Sequence, residues 1–290
     1  MNINILNATR KTFFVICAFL GLGLSNTYAE STLLKNGAYK SLGIGTGYYY
    51  YGEVGRQGEH LMHLDFMLFN VNGNIGYIAD SGGRVDFSAD ANIAFGVYTG
   101  RVLDTSNAEE NGKFLQNIDG NSFYHLELKG GFDVLRAFGD FGESRSASVY
   151  ALGGLGYYFN NNNFNTDYRL QGYLYLPLGL EGEIGLGERF MLNYAGFFHL
   201  FILGNHFTSR GHFSKDLDVL QNEGLGAKAY IGATYKTKHD RINSFRLVYE
   251  YWRLAGSPAV AMTDYTGKQV ALYEPKNSSH ILTLQYLWNF

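Results

Sequence analysis

Histidine and carboxylate residues two positions apart are the residues of this 290-residue chain best placed to do chemistry. His63 precedes Asp65 in this way, and His125 precedes Glu127. Side chains two apart on a β-strand share a face, so each pair could act as a general acid and base. His199 is a third candidate on a separate segment. A hydrolase is therefore one hypothesis for this chain.

The same histidines could also bind a transition metal. The others are read as ordinary loop and rim residues, and they include His60, His206, His212 and His280. The only cysteine, Cys17, lies in a segment that we expect to be removed, which excludes disulfides and thiolate metal sites. We predict neither a metal nor a cofactor. The net charge of −3 gives no electrostatic reason to expect nucleic acid as a partner.

Long strands with strict alternation must position these residues. In 84–100, apolar residues such as Val85, Phe87 and Ile93 alternate with Asp86 and Asp90. This run is much longer than the roughly five or six residues of an ordinary strand, and it suits a tilted strand that crosses a bilayer. Similar patterns predict ten strands, at 39–53, 59–79, 84–100, 122–135, 147–160, 167–186, 189–204, 224–237, 241–253 and 280–290.

Composition agrees with a membrane wall built of strands. The chain has 37 Gly, 23 Tyr and 22 Phe, and beyond its first 29 residues no apolar run approaches the length of a membrane helix. Only helices and closed barrels satisfy their backbone hydrogen bonds in lipid. The predicted fold is therefore all-β, a transmembrane antiparallel up-and-down β-barrel of about ten strands. Residues 258–273 could add a hairpin, which would make twelve strands or extend the wall outward.

Two local irregularities are also expected in these strands. The alternation changes phase around Phe69 to Val71, which suggests a β-bulge in the second strand. Pro177 has no N–H group to donate to a neighbouring strand, so we expect a distortion there.

The polar face of the predicted strands should line the interior of the barrel. It carries charges of both signs, which either pair and brace a closed lumen or sort small solutes along a narrow path. The sequence leaves both alternatives open. The predicted lumen-lining residues are Asp86, Asp90, Glu127, Lys129, Asp133, Arg169, Glu181, Lys228, Arg246 and Glu250.

The final strand carries the most specific pattern. One face of 280–290 is apolar and aromatic, and it consists of Leu282, Leu284, Tyr286, Trp288 and Phe290. This ending resembles the C-terminal strand of bacterial outer-membrane β-barrel proteins. The resemblance implies that the barrel-assembly machinery reads the terminal Phe and the alternating hydrophobes. It also implies outer-membrane lipid and lipopolysaccharide as partners of the wall.

The first 29 residues predict export. Arg10 and Lys11 precede an apolar run over 12–24, and a small-residue cleavage site ends at Ala29. The run is shorter than the roughly 20 residues that a membrane helix needs. We therefore predict a signal peptide at 1–29, a barrel at 30–290, and transport through the periplasm to the bacterial outer membrane.

The lengths of the connections give the orientation of the barrel. Three of the four predicted periplasmic turns are tight, at 81–83, 187–188 and 238–240, and the fourth is 137–146. Three of the opposite connections are long, at 103–120, 205–223 and 257–278, and they face the exterior.

Three function classes remain open. The first is a narrow porin-like channel for small solutes. The second is an outer-membrane hydrolase with a rim His/carboxylate site, although the paired acids and the acid–His pair of the barrel protease family are not recognisable at corresponding strands. The third is a surface barrel whose long loops bind a ligand or another cell.

Overall fold

The computed structural model describes residues 36–103, 107–138, 146–162, 168–210 and 213–290. The predicted signal peptide and His212 lie outside the described residues. Within them the chain forms the strands β1 (Gly37–Val54), β2 (His60–Ile78), β3 (Gly83–Arg101), β4 (Phe114–Asp133), β5 (Ala147–Asn162), β6 (Arg169–Gly185), β7 (Phe190–Thr208), β8 (Leu217–Gln221), β9 (Gly224–Lys236), β10 (Ile242–Leu254), β11 (Val260–Thr263), β12 (Gln269–Leu272) and β13 (Lys276–Asn289). A short 3-10 helix, Val134–Phe138, follows β4.

Ten long antiparallel strands close into a barrel, as the alternation predicted. Their order around the wall is β6-β5-β4-β3-β2-β1-β13-β10-β9-β7, and pairing between β6 and β7 closes the ring. The first and last strands are neighbours, paired from Ser41–Asn289 to Val54–Lys276. β11 and β12 form a separate hairpin, so the wall has ten strands and not twelve. β8 pairs with Gly204–Thr208, the last residues of β7.

The predicted apolar faces point outward. On β13, Leu282, Leu284 and Trp288 are exposed, whereas Ile281 and Leu287 between them are buried. Val85, Phe87 and Ile93 on β3 are exposed in the same way. Apolar side chains on the outside of a closed barrel are the arrangement that lipid stabilises.

The two ends of the barrel differ in their connections. The connections 79–82, 134–146, 186–189 and 237–241 lie at one end, which we call the turn end. Gly82 and Gly187 have φ of 94° and 93°, which glycine adopts without steric cost in tight turns. The other connections, which include the long segments 102–113, 209–223 and 255–275, lie at the opposite end, which we call the loop end.

The two expected irregularities have different outcomes. The bulge predicted at Phe69 to Val71 was wrong: Phe69 and Val71 are both exposed, and β2 pairs with β3 in one register throughout. The change of residue type arises because the inward face turns from apolar at Leu68 to polar at Asn70. At Pro177 the distortion is confirmed. Pairing of β5 with β6 is interrupted between Leu178 and Tyr175, and the register with β7 shifts at Tyr175.

The pattern also missed parts of the wall. β4 begins at Phe114 and β7 reaches Thr208, both inside segments predicted as loops. Gly and Asn residues in 117–121 weaken the alternation there, and pairing with β3 compensates for it.

The interior has a packed centre toward the loop end. We call this the aromatic layer, and its residues are Tyr49, Phe66, Phe123, Tyr158, Tyr173, Tyr175, Phe201 and Trp252, all of them buried. At the loop end, the β11–β12 hairpin packs against β8 through Leu217, Val219, Met262 and Leu272. The loops therefore have a small core of their own.

Candidate functional site

The barrel interior contains a cavity of about 440 Å³ on the turn-end side of the aromatic layer. We call it the turn-end cavity. Residues at the strand ends, such as Asn36, Asn289 and Phe290, surround its mouth. Of the ten charged residues predicted to face the lumen, seven line it: Asp86, Asp90, Glu127, Lys129, Glu181, Lys228 and Arg246.

Most of the charges in this cavity are paired. Arg84 binds Glu181 with a 2.7 Å N–O distance and lies 3.3 Å from Asp86. Lys129 lies 3.1 Å from Glu127 and 3.6 Å from Asp86. Lys228 lies 3.6 Å from Asp90 on the far side of the lumen. These pairs offset the cost of burying charge, and two of them, Arg84–Glu181 and Lys228–Asp90, join strands that are not neighbours.

Sequence reasoning did not single out Arg84. The signal that could have found it is its position two residues before Asp86, which puts both side chains on the inward face of β3.

The other three predicted residues lie elsewhere. Asp133 is fully buried beside the turn end and accepts hydrogen bonds from the backbone N–H groups of Leu135 and Val149. It therefore stabilises the 3-10 turn. Glu250 lies beneath the aromatic layer, and Arg169 lies at the loop end.

Three predicted acid–base residues meet beneath the aromatic layer. The His125 Nε2 atom lies 2.8 Å from Glu250 Oε1, and the His199 Nε2 atom lies 3.6 Å from Glu127 Oε1. Tyr175 OH donates to Glu127 over 2.9 Å. The fold thus joins His125, Glu127 and His199 in one cluster, although His125 pairs with Glu250 and not with its sequence neighbour Glu127.

The pair His63 and Asp65 forms no part of this cluster. Their side chains point outward from β2, with 3.2 Å between His63 Nε2 and Asp65 Oδ2, and they are 26% and 42% exposed. His60 lies 2.9 Å from His63, and Tyr48 donates to Asp65. Any acid–base chemistry of this pair would take place on the outer surface of the wall.

The aromatic layer closes the lumen. Trp252 lies at its centre, with its ring 4.9 Å from Tyr175 and 5.5 Å from Tyr173. Tyr158 stacks on Tyr173 at 4.9 Å, and Phe123 lies 4.8 Å from Tyr49. These buried rings form a continuous set of contacts from β1 and β2 to β7 and β10 above the turn-end cavity.

A second polar cluster lies at the loop end, above the aromatic layer. Arg169 binds Glu53 and Glu274 with N–O distances of 2.5 and 3.1 Å. His206 Nε2 lies 2.9 Å from Glu274, and Gln171 donates to the same carboxylate over 2.9 Å. Glu274 belongs to the connection before β13, so the cluster fastens this connection over the loop end of the barrel.

The surroundings of Glu274 shift its pKa. Burial raises the pKa of the carboxyl group, but His206 and Arg169 outweigh burial and lower it to about 2. Sequence reasoning missed this residue because Glu274 follows a loop, where no alternation assigns it to a face.

Nothing in the described residues forms a helix long and apolar enough to span a membrane. The described part of the chain also holds no group of three or more His, Cys, Asp or Glu residues that could bind a metal ion.

No family model matches the sequence, and no curated protein matches it either. Among solved structures, the outer membrane protease OmpT of Escherichia coli is similar, with a TM-score of 0.51 and 12% identity over 89% of this chain and 99% of that chain. The translocator domain of the autotransporter NalP of Neisseria meningitidis has a TM-score of 0.42 and 11% identity over 99% of this chain and 97% of its own.

The toluene transporter TodX of P. putida has a TM-score of 0.31 and 8% identity over 89% of this chain and 90% of that chain. Of these three structures only OmpT has a TM-score above 0.5, and at 12% identity the similarity concerns the fold alone. The chain has the fold of bacterial outer-membrane β-barrels.

Proposed function

We propose that this chain is an integral protein of the bacterial outer membrane that admits small polar solutes to its lumen from the periplasmic side. The exposed apolar band and the barrel fold support the location. The turn-end cavity, lined by charges of both signs, is the observation that carries the solute hypothesis. Passage across the membrane then depends on movement of the aromatic layer.

Single-channel recording in planar bilayers tests this proposal. The refolded wild-type protein should be closed most of the time, with rare, small current steps. Trp252→Ala removes the ring at the centre of the aromatic layer, so it should increase both the frequency and the size of the steps.

Trp288→Ala is the matched control, because Trp288 lies on the outer face of β13. It should conduct as the wild type does. Absence of current steps in both the wild type and Trp252→Ala would contradict a solute pathway.

A hydrolase is the second candidate. The cluster of His125, Glu250, His199 and Glu127 favours it, because it holds two imidazole–carboxylate pairs next to a cavity. Peptide and phospholipid hydrolysis should then be lost in His125→Ala and His199→Ala and retained in His239→Ala, whose side chain is exposed at a turn. Equal hydrolysis in all three variants would remove this candidate.

We also propose that β13 is read by the barrel-assembly machinery. Deletion of Phe290 should lower the amount of folded protein in the membranes of expressing cells. Refolding into detergent micelles, which involves no such machinery, should remain efficient. Equal loss in cells and in micelles would instead indicate a purely structural role.

A further inference from the structure

Two charged residues of the turn-end cavity stand apart from its ion pairs. Arg246 on β10 and Glu183 on β6 both line the cavity. Neither has an oppositely charged group within 4.0 Å among the described residues, in contrast to the pairs made by Arg84, Lys129 and Lys228. Glu183 receives one hydrogen bond, from Ser148 over 3.4 Å.

The Arg246 guanidinium is held in place without being neutralised. Its Cζ atom lies 4.7 Å from the centre of the Tyr230 ring, a cation–π arrangement that leaves the edge of the guanidinium free to donate. The Nε atom of Arg246 and the hydroxyl of Tyr230 are buried and have no hydrogen-bond partner among the described residues. Buried polar atoms of this kind are costly unless something binds them.

The two charges share one row of the wall. Arg246 pairs with Gly232, Gly232 with Asn193, and Asn193 with Glu183. Three strand spacings amount to about 14 Å of backbone. Both side chains project into the concave interior, so their charged ends are closer together than their backbones.

Asn193 lies between them and offers an acceptor. Its Nδ2 atom donates to Thr234 over 2.6 Å, whereas its Oδ1 atom is buried without a partner among the described residues. A Cβ atom at Gly232 would lie 2.5 Å from this Oδ1 atom and 2.7 Å from Cγ of Arg246. The glycine thus provides the space in which these two side chains approach each other.

The remaining wall is partly apolar. Val248, Leu287 and Phe197 are buried residues that line the same cavity. A volume of about 440 Å³ falls within the usual range of small-molecule sites, about 300–1,000 Å³.

We infer that the turn-end cavity binds a small zwitterion of amino-acid type with an apolar side chain. Arg246 and Tyr230 donate to its carboxylate, and Glu183 and Asn193 Oδ1 accept from its ammonium group. The apolar side chain packs against Val248 and Leu287. This inference rests on the proposed access to the lumen from the turn end and names the class of solute.

Calorimetric titration of the detergent-refolded protein tests the inference with three matched compounds. L-valine carries both charges, isovalerate lacks the ammonium group, and isobutylamine lacks the carboxylate. L-valine should bind at one site at millimolar concentration, and the two fragments should bind about tenfold or more weakly, since each loses one charge-assisted interaction.

Substitutions then assign the two charges. Arg246→Gln should weaken L-valine and isovalerate binding about tenfold and leave isobutylamine unchanged. Glu183→Gln should weaken L-valine and isobutylamine and leave isovalerate unchanged. Arg241→Gln and Glu223→Gln, at exposed positions outside the cavity, are the controls and should bind as the wild type does.

Folding of each variant is verified by its shifted mobility in unboiled gel samples. Absence of L-valine binding to folded wild type overturns the inference, as does unchanged binding in both cavity variants. Either result leaves the channel hypothesis standing, because ion conductance through Trp252→Ala is measured without the zwitterion. Conversely, binding without conductance would retain the site and remove the pathway.

Discussion

Two glycines of the barrel wall differ in the space that is available for a side chain. An added Cβ atom at Gly154 of β5 would lie 2.0 Å from the carbonyl oxygen of Leu128 on β4. This oxygen belongs to the backbone of β4, which cannot move away from the added atom as a flexible side chain could. Gly196 on β7 is different, because a Cβ atom there meets nothing within 4 Å.

Gly154→Ala should therefore destabilise the barrel by about 1–3 kcal/mol, the usual cost of overpacking. Gly196→Ala is the matched control and should match the wild type or exceed it slightly. The measurement is the urea midpoint of unfolding in detergent, followed by gel mobility. Equal midpoints for both variants would show that β4 and β5 separate easily at this point.

The lowered pKa of Glu274 predicts that the stability of the folded protein depends on pH in the acidic range. Its pKa is lowered to about 2 in the folded protein, against about 4.3 for an unperturbed Glu. A carboxyl group with a lowered pKa stabilises the folded state above its unfolded pKa, and this contribution fades as the pH falls from about 4 toward 2. The groups that act on it include Arg169, His206, Arg210, Gln171 and Tyr51, and Arg169 also binds Glu53.

Glu274→Gln should lose stability at neutral pH, and its difference from the wild type should shrink as the pH falls below about 4. Unfolding in urea across a pH series measures this difference. Glu223→Gln, at an exposed loop position, should follow the wild-type profile. A constant difference at all pH values would mean that Glu274 acts through packing and not through its charge.

At the scale of the strand, the outward face of β13 must match its depth in lipid. Leu284 is 54% exposed near the middle of the strand, and Leu186 is 62% exposed in a connection at the turn end. A charged side chain costs about 2–4 kcal/mol at the bilayer midplane and about 0–1 kcal/mol near the interface.

Leu284→Arg should therefore lower the free energy of unfolding from lipid vesicles by about 2–4 kcal/mol, and Leu186→Arg should lower it by less than about 1 kcal/mol. Reversible titration with guanidinium in vesicles measures both. Similar effects from the two substitutions would mean that the apolar band does not lie in lipid.

For the whole molecule, closure between β1 and β13 is the feature to test. Thr46 and Leu284 are directly paired across these strands, whereas Leu247 lies one strand further along the same row. The only cysteine of the full sequence is Cys17, within the predicted signal peptide, so a pair of introduced cysteines would have no competitor in a protein prepared without residues 1–29.

Thr46→Cys combined with Leu284→Cys should form a disulfide, because directly opposite strand positions are about 4.5–5.5 Å apart. Thr46→Cys combined with Leu247→Cys is the control and should not, because two strand spacings are about 10 Å. Gel mobility of the denatured protein without reductant distinguishes a cross-linked chain from a linear one. A linear chain in the first variant would contradict closure.

The features of the fold and of the site that could be predicted are those encoded by residues close together in the sequence. The period of two in 84–100 reports the two faces of β3 from neighbouring residues alone, so strands and lumen-facing charges such as Asp86 were accessible from sequence. The pairing of His125 with Glu250 joins β4 to β10 across the lumen, and no short-range pattern encodes it. Glu274 acts from a loop, where the position of a side chain depends on the packing of β11 and β12 against β8.

The adjacency of β1 and β13 also sets the order of events in biogenesis. The ring cannot be completed until β13 has been synthesised, because β13 supplies the partner for β1. Until then, every partly assembled form has two free edges with unsatisfied backbone groups, which invite aggregation. Because synthesis runs from the N- to the C-terminus, β1 keeps an unpaired edge through the synthesis of all the strands between it and β13.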